Sequence, residues 1–348
     1  MSIKFLNNLI IPISLLLNMS ACVHRPQKES NRLEPKTVEK LQTTVLNDTF
    51  EFGAPTAIIV YDSLLIVYDI LNQNKVHFFD KEKGNHIWEF GRIGQGEKEL
   101  IHPSGMTLNL TAGVLTIYDY ARRSLLACKV EDLGKFNSEN WFVIPLPEYQ
   151  FIPKGVVPIG EKRYLSIHGK PRLTYWNDNV KFDYDTYPEF LDEDSKRMFM
   201  VSESIFNVSP DGKKLVQATT LGILLDFFEI TENEIKHVSE NCYKEPLFEL
   251  LKGQIALLPE CLYGYSCLSS TNNHLFATLH GKVKPTEFPS DIYQYDWDGN
   301  LKKKLETGNQ IVSFGVDGLT EEIYAICMDE DNDYTLVKIG GKLIETLD

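Results

Sequence analysis

The chain has 348 residues, with 49 Asp and Glu against 35 Lys and Arg, giving a formal net charge of −14 at pH 7. An acidic chain of this kind is repelled by phosphate backbones, which argues against nucleic acid as a partner. Its 43% hydrophobic content supplies a substantial core, and past the N-terminal region no stretch approaches the roughly 18 consecutive apolar residues of a membrane span.

The first 22 residues carry a single charge, Lys4, followed by an apolar run from Leu9 to Leu17 that only Pro12 and Ser14 interrupt. Small residues Ser20 and Ala21 come next, then Cys22. A charged start, a short apolar core and a small-residue cleavage site make a secretory signal over residues 1–21. The apolar core falls short of the roughly 20 residues that cross a bilayer. Met19-Ser20-Ala21-Cys22 resembles the bacterial lipobox, with Met where Leu is usual. That resemblance implies a lipoprotein whose N-terminal lipid on Cys22 holds it in a membrane, stably if more than one acyl chain is attached. Residues 22–39 are polar and poor in aromatics, with Pro26 and Pro35, and read as a flexible tether. Val23 stands where an Asp would suggest inner-membrane retention, and no acidic cluster comes after the anchor. The expected address is the outer membrane facing the periplasm, with the cell surface as the alternative.

Residues 40–348 read as one all-β domain. Thr56–Tyr61, Leu64–Tyr68, Val76–Phe79 and His86–Phe90 are rich in Val, Ile, Tyr and Phe and are separated by turn residues. A second unit runs through Gly105–Leu108, Val114–Tyr118, Ser124–Val130 and Trp141–Ile144. The third starts near Gly155 and has Tyr164–Ile167, Leu173–Trp176 and Val180–Phe182; the fourth has Ile205–Val208, Lys214–Ala218, Ile223–Ile230 and Ile235–His237. The fifth covers Tyr263–Leu268, His274–Leu279, Ile292–Tyr295 and Leu301–Leu305. The last has three strands, Ile311–Val316, Ile323–Met328 and Tyr334–Ile339, and Val38–Leu46 is placed to supply its fourth. Helical periodicity appears at Pro188–Val201 and Glu245–Leu251, both read as insertions between units. Six four-stranded units at roughly 40–50 residues each predict a six-bladed β-propeller with short helical insertions, against a pair of open β-sheets as the competing architecture.

Trp88-Glu89-Phe90-Gly91-Arg92-Ile93-Gly94-Gln95-Gly96 leads to Pro103. This resembles the inter-blade signature of NHL-type propellers, in which Phe90 and Gly91 end an outer strand, Gly94 and Gly96 make a Gly-rich loop, and Pro103 opens the next inner strand. The physics suits the role, because Gly supplies positive φ and Pro fixes its own. Ser209-Pro210-Asp211-Gly212-Lys213-Lys214 resembles the first turn of a TolB-type blade. Together these features resemble the TolB-like six-bladed propeller lipoproteins, which implies a fold and an envelope address but no settled activity. A phosphate-cradling reading of Gly91–Gly96 fails, because the glycine spacing differs and no helix comes after it.

The remaining chemistry is sparse. Cys128, Cys242, Cys261, Cys267 and Cys327 are odd in number and read chiefly as buried thiols, although a disulfide among Cys242, Cys261 and Cys267 is permitted. Asp329–Asp333 alternates oxygen ligands but lacks the glycine and distant glutamate of a calcium loop. The eight His form no zinc motif, so no metal and no cofactor is expected. His168 and His280 each precede a glycine at a strand end and are the candidates for a central pocket; Tyr175, Trp176, Tyr263, Tyr265 and Trp297 are aromatics that stack on sugars or pack between blades. The leading expectation is a binding or scaffold module for a protein or glycan. The alternative is a carbohydrate-active hydrolase or lyase with carboxylates or His residues gathered around the central channel.

Overall fold

The computed structural model of the chain describes residues 33–147 and 152–342. Cys22 and most of the tether lie outside the described residues. The first strand, β1 (Thr37–Asn47), precedes the blades in the chain. Blade 1 comprises β2 (Pro55–Tyr61), β3 (Leu64–Asp69), β4 (Asn74–Asp80) and β5 (His86–Arg92). Blade 2 comprises β6 (Pro103–Asn109), β7 (Val114–Asp119), β8 (Ser124–Lys129) and β9 (Trp141–Pro145). Blade 3 holds β10 (Gly155–Gly160), β11 (Arg163–Ile167), β12 (Leu173–Trp176) and β13 (Lys181–Tyr184). A short helix, α1 (Lys196–Ser202), leads into blade 4 with β14 (Ser204–Val208), β15 (Lys214–Thr219), β16 (Ile223–Ile230) and β17 (Ile235–Lys244). A hairpin of β18 (Phe248–Leu251) and β19 (Gln254–Leu257) precedes blade 5, made of β20 (Leu262–Ser270), β21 (His274–Val283), β22 (Asp291–Asp296) and β23 (Leu301–Glu306). Blade 6 has β24 (Gln310–Val316), β25 (Ile323–Met328) and β26 (Tyr334–Lys342).

The fourth strand of blade 6 comes from the other end of the domain. Leu41–Asn47 of β1 pairs antiparallel with β26, and Thr37–Lys40 pairs parallel with β23 of blade 5. Blades 5 and 6 therefore share one continuous eight-stranded hydrogen-bonded order, while the other four remain separate sheets. Thr37–Glu39 already belong to the strand, although their composition reads as tether.

Middle strands are apolar on both faces because each blade is covered on both sides. In β4, Phe78 packs toward blade 2 and its neighbour Phe79 toward blade 6, and both are fully buried. Every seam of the ring has its own cluster of this kind. Ile66 and Ile117 meet between blades 1 and 2, Tyr118 and Val156 between 2 and 3, and Ile167 and Leu215 between 3 and 4. Leu225 and Leu275 meet between 4 and 5, Ile292 and Ile311 between 5 and 6, and Val67 and Ile326 between 6 and 1. Six seams make a closed ring of six blades. Outer strands are largely exposed or half-buried, as a half-solvated surface requires, and β13 alternates strictly between the two.

Both insertions lie where the sequence places them, but their content differs from expectation. The first is helical only over α1, shorter than Pro188–Val201. The second, expected to be helical over Glu245–Leu251, is the hairpin β18–β19, because Lys252 (φ 53°) and Gly253 (φ 77°) form a two-residue turn that an α-helix cannot contain. The two insertions pack on each other through Phe199 and Phe248, stacked at 4.9 Å. Among the described residues, no helix is long and apolar enough to cross a membrane.

Candidate functional site

The first strand of each blade lies at one edge of its sheet, so its outward N–H and C=O groups have no neighbouring strand. These six inner strands, β2, β6, β10, β14, β20 and β24, surround an axial cavity of about 750 Å³. Its wall mixes Ile58, Val60, Met106 and Phe314 with Thr56, Ser104, Thr107, Asn207, Ser266 and Ser270. Apolar walls carrying a few fixed polar groups are the usual make-up of a ligand site.

The two ends of the channel differ. At the ends of the inner strands, the first turns of the blades knit together. Leu110 N–H donates to the Pro210 carbonyl at 3.0 Å, and Thr111 Oγ1 donates to the Asp211 carbonyl at 3.0 Å. Asp211 N–H in turn donates to Asn272 Oδ1 at 3.0 Å. The Ser209–Gly212 turn thus ties blades 2, 4 and 5 at this mouth. Gly212 adopts φ +73°, and a Cβ there would stand 2.2 Å from the Ile159 carbonyl oxygen of blade 3. Lys81 also faces this mouth and donates to Asp317 at 3.0 Å. The Leu319 and Thr320 amides at 2.8 and 3.0 Å also donate to Asp317. These three partners outweigh the desolvation that works against them and lower the Asp317 carboxyl below its usual range. Asp62 and Asp317 are the carboxylates among the described residues of the lining, and Asp317 is fully engaged.

Lys154 lies at the opposite end of the inner strands, one residue before β10. Its ammonium donates to the Ser204 carbonyl of blade 4, and burial brings its pKa down to about 8 despite the counteracting field of Glu203. Gly105, in β6, also lines the cavity, and a Cβ built on it meets nothing within 4 Å.

His168 and His280 are not part of this lining. Both sit on second strands or just beyond, one step outward from the axis. His168 is buried, with its N–H on the Arg172 carbonyl; burial and Lys282 push the pKa of His280 down. The stacking candidates are mostly structural. Tyr175 stacks on Phe182, Trp176 on Tyr164, Tyr265 hydroxyl meets Tyr295 hydroxyl at 3.0 Å, and Trp297 donates to the Thr271 carbonyl. Tyr263 is half-buried against the insertion cluster. The five cysteines are free thiols, four of them buried. Asp329 accepts the amides of Asp331 and Asp333, which makes that acidic run a turn between β25 and β26.

At the first blade junction, Phe90 stacks on Trp141 at 4.4 Å and Gly91 takes φ +83°. Glu99 accepts the Gly96 N–H at 2.7 Å, and a Cβ at Gly94 would collide with that same carboxylate. Arg122 donates to the Gly96 carbonyl at 2.6 Å, and Pro103 is the first residue of β6. A second junction device has no counterpart among the residues singled out from sequence. Asp69, fully buried at the end of β3, accepts the amides of Gly53, Ala54, Leu71 and Asn72. Asp119, at the end of β7, accepts those of Ile101, His102, Ala121 and Arg122 in the same way. The repeated Tyr-Asp of Tyr68-Asp69 and Tyr118-Asp119 is the signal that marks it.

Sequence reasoning also misses a side-chain group on the outer strands of blade 1. His77, His86 and Glu89 bring two imidazoles and a carboxylate together, their ligating atoms within 4.8 Å of one another. No sequence motif encodes this spacing, because the pairing of β4 with β5 creates it.

A family model described as TolB-like 6-blade propeller-like matches residues 34–318. No curated protein sequence matches the chain. Among solved structures, a Bacteroides fragilis protein inferred to be exported superposes with a TM-score of 0.53 at 13% identity, covering 87% of this chain and 99% of its own. A member of the DUF4221 family from Bacteroides vulgatus superposes with a TM-score of 0.53 at 10% identity, covering 86% of this chain and 96% of its own. At such identities these likenesses concern the fold.

Proposed function

The chain belongs to the TolB-like six-bladed propeller family, and we propose that it is an envelope-tethered binding module that takes a protein segment or a glycan into its axial channel. The observation that carries this reading is the cavity of about 750 Å³ walled by all six inner strands. Its unpaired strand edges and hydroxyl and amide side chains offer both donors and acceptors, which suits a ligand rich in amides or hydroxyls. One mouth is narrowed by the knitted turns and its Lys81–Asp317 charges cancel. The other carries Lys154, so a carboxylate on the ligand belongs at that end.

The address is proposed on the same footing: export through the signal at residues 1–21, a lipid on Cys22, and residence at the outer membrane facing the periplasm. The Met19–Cys22 resemblance supports it, and so does the exported character inferred for the Bacteroides fragilis neighbour.

Gly105→Phe tests the channel, because the new ring has open space to enter and no positive φ to strain. The full chain and this variant would be screened side by side on a glycan array and a peptide library. Ligands retained by the former should be lost by the latter, with both proteins melting at similar temperature. A variant that keeps the whole ligand set would show that binding, wherever it occurs, is not in the channel.

A further inference from the structure

His77 sits in the middle of β4 and is completely excluded from solvent. Neither ring nitrogen has a hydrogen-bond partner of ordinary geometry, although the Asn74 backbone is near enough to act on the ring. A buried donor left unmatched costs about 1–3 kcal/mol, so an imidazole retained in this state asks for an explanation. Its Nδ1 faces Glu89 Oε2 at 3.6 Å, too far for a hydrogen bond but close enough for both to bind one ion. His86, on the same hairpin, completes the group and is exposed, as is Glu89.

We propose that His77, His86 and Glu89 form a divalent transition-metal site, of which Zn²⁺ is the best-matched occupant. Two imidazoles and one carboxylate are an established zinc ligand set, leaving the fourth position open to solvent. Metal–ligand bonds of about 2.0–2.2 Å bring tetrahedral ligands to roughly 3.3 Å from one another. The present spread of up to 4.8 Å closes by side-chain rotation of the exposed His86 and Glu89, while the buried His77 stays fixed. The outer shell is already in place. Asn74 Nδ2 donates to Glu89 Oε1 at 2.6 Å, leaving Oε2 for the ion. Phe50 packs edge-on against His77 at 5.0 Å and tilted against His86 at 4.7 Å, walling the site with an apolar ring.

The location gives the ion a structural task. Phe50 lies just beyond the end of β1, and Asn47 of β1 donates to the Gly84 carbonyl in the turn between β4 and β5. A metal here clamps the blade 1 hairpin where the ring-closing strand lands on it.

The experiment uses the purified full chain, stripped with a chelator and titrated with ZnCl₂ by calorimetry, and with CoCl₂ by visible absorption. One equivalent of Zn²⁺ should bind with micromolar or tighter affinity and raise the melting temperature, and Co²⁺ should give the intense d–d bands of a four-coordinate site. His86→Ala and Glu89→Gln should each weaken Zn²⁺ binding at least tenfold. Both side chains are exposed, so the metal-free melting temperature should stay near that of the parent chain. Absence of saturable binding, or affinity within tenfold of the parent in the His86→Ala/Glu89→Gln double variant, overturns the proposal.

Discussion

Replacing Asp69 by Ala removes one buried carboxylate and strands four amides. Gly53 and Ala54 N–H donate to it at 2.7 Å each, and Leu71 and Asn72 at 3.2 Å. The latter pair sits in an exposed turn, where Leu71 is 73% accessible, so water replaces the carboxylate for them. The former pair lies in the segment that leads into β2, and its amides lose a charge-assisted partner worth about 1.5–3 kcal/mol each. The expected loss is therefore about 3–6 kcal/mol for Asp69→Ala. Asp69→Asn keeps one acceptor oxygen and turns an NH₂ toward amide donors, for a loss of about 2–3 kcal/mol. Urea unfolding followed by tryptophan fluorescence measures both, with the slope of the transition checked for constancy. Asp119→Ala should cost a similar amount, because Asp119 accepts four amides in the same geometry one blade further on. Leu71→Ala serves as the control and should stay within about 0.5 kcal/mol. A loss below about 1 kcal/mol for both Asp→Ala variants would refute the claim that these carboxylates hold the blade junctions.

Two further predictions concern pH and address. His237 Nε2 lies 2.6 Å from Asp226, whose other oxygen pairs with the buried Arg172 at 2.6 Å, and the Asp226 contact raises the histidine pKa against the opposing effect of burial. A histidine with a raised folded pKa stabilises fully below its unfolded value of about 6.5, and that contribution fades as pH climbs through the folded pKa. The difference in urea midpoint between the parent chain and His237→Gln should thus be largest near pH 6 and shrink by pH 8; a flat or growing difference contradicts the assignment. Cys22→Ala should move the protein from the membrane fraction to the soluble periplasmic fraction, and a variant that still sediments with membranes would end the lipid assignment.

The blades were legible because propeller strands are short β-rich runs bounded by turn residues, and because both sheet faces are buried. β16 coincides with the Ile223–Ile230 run, and Val38–Leu46 lies within the ring-closing strand β1. Local signals misled where pattern and turn chemistry competed. Glu245–Leu251 has helical spacing, but Lys252-Gly253 takes the positive φ angles of a hairpin turn. The functional surfaces were largely hidden, for a different reason. Channel residues such as Thr56, Thr107, Asn207 and Ser266 are alternate positions of separate inner strands, and only ring closure brings them together. His77 and Glu89 are cross-strand partners, twelve residues apart in the chain, and Arg172 meets Asp226 across the seam of two blades. His168 does stand just past the end of β11, but His280 lies inside β21, and these second strands stand off the axis, so neither histidine lines the cavity.

One short stretch of chain carries the closure of the ring. Thr37–Lys40 binds blade 5, Leu41–Asn47 binds blade 6, and Asn47 and Phe50 then settle on blade 1. Leu41 adds an apolar side chain to the seam between blades 5 and 6, and Thr43 Oγ1 accepts from Asn309 Nδ2 at 2.7 Å. Any pull transmitted from residues ahead of Thr37 enters the ring here, along strands loaded in shear, where many ladder hydrogen bonds resist together. The inner strands are on the far side of each four-stranded sheet from this strap. Load entering through this strap therefore falls on the outer edge of blades 5 and 6, away from the channel wall. The proposed metal site lies on blade 1 where the strap ends, so an ion there would brace the last of its contacts, at the rim and not at the axis.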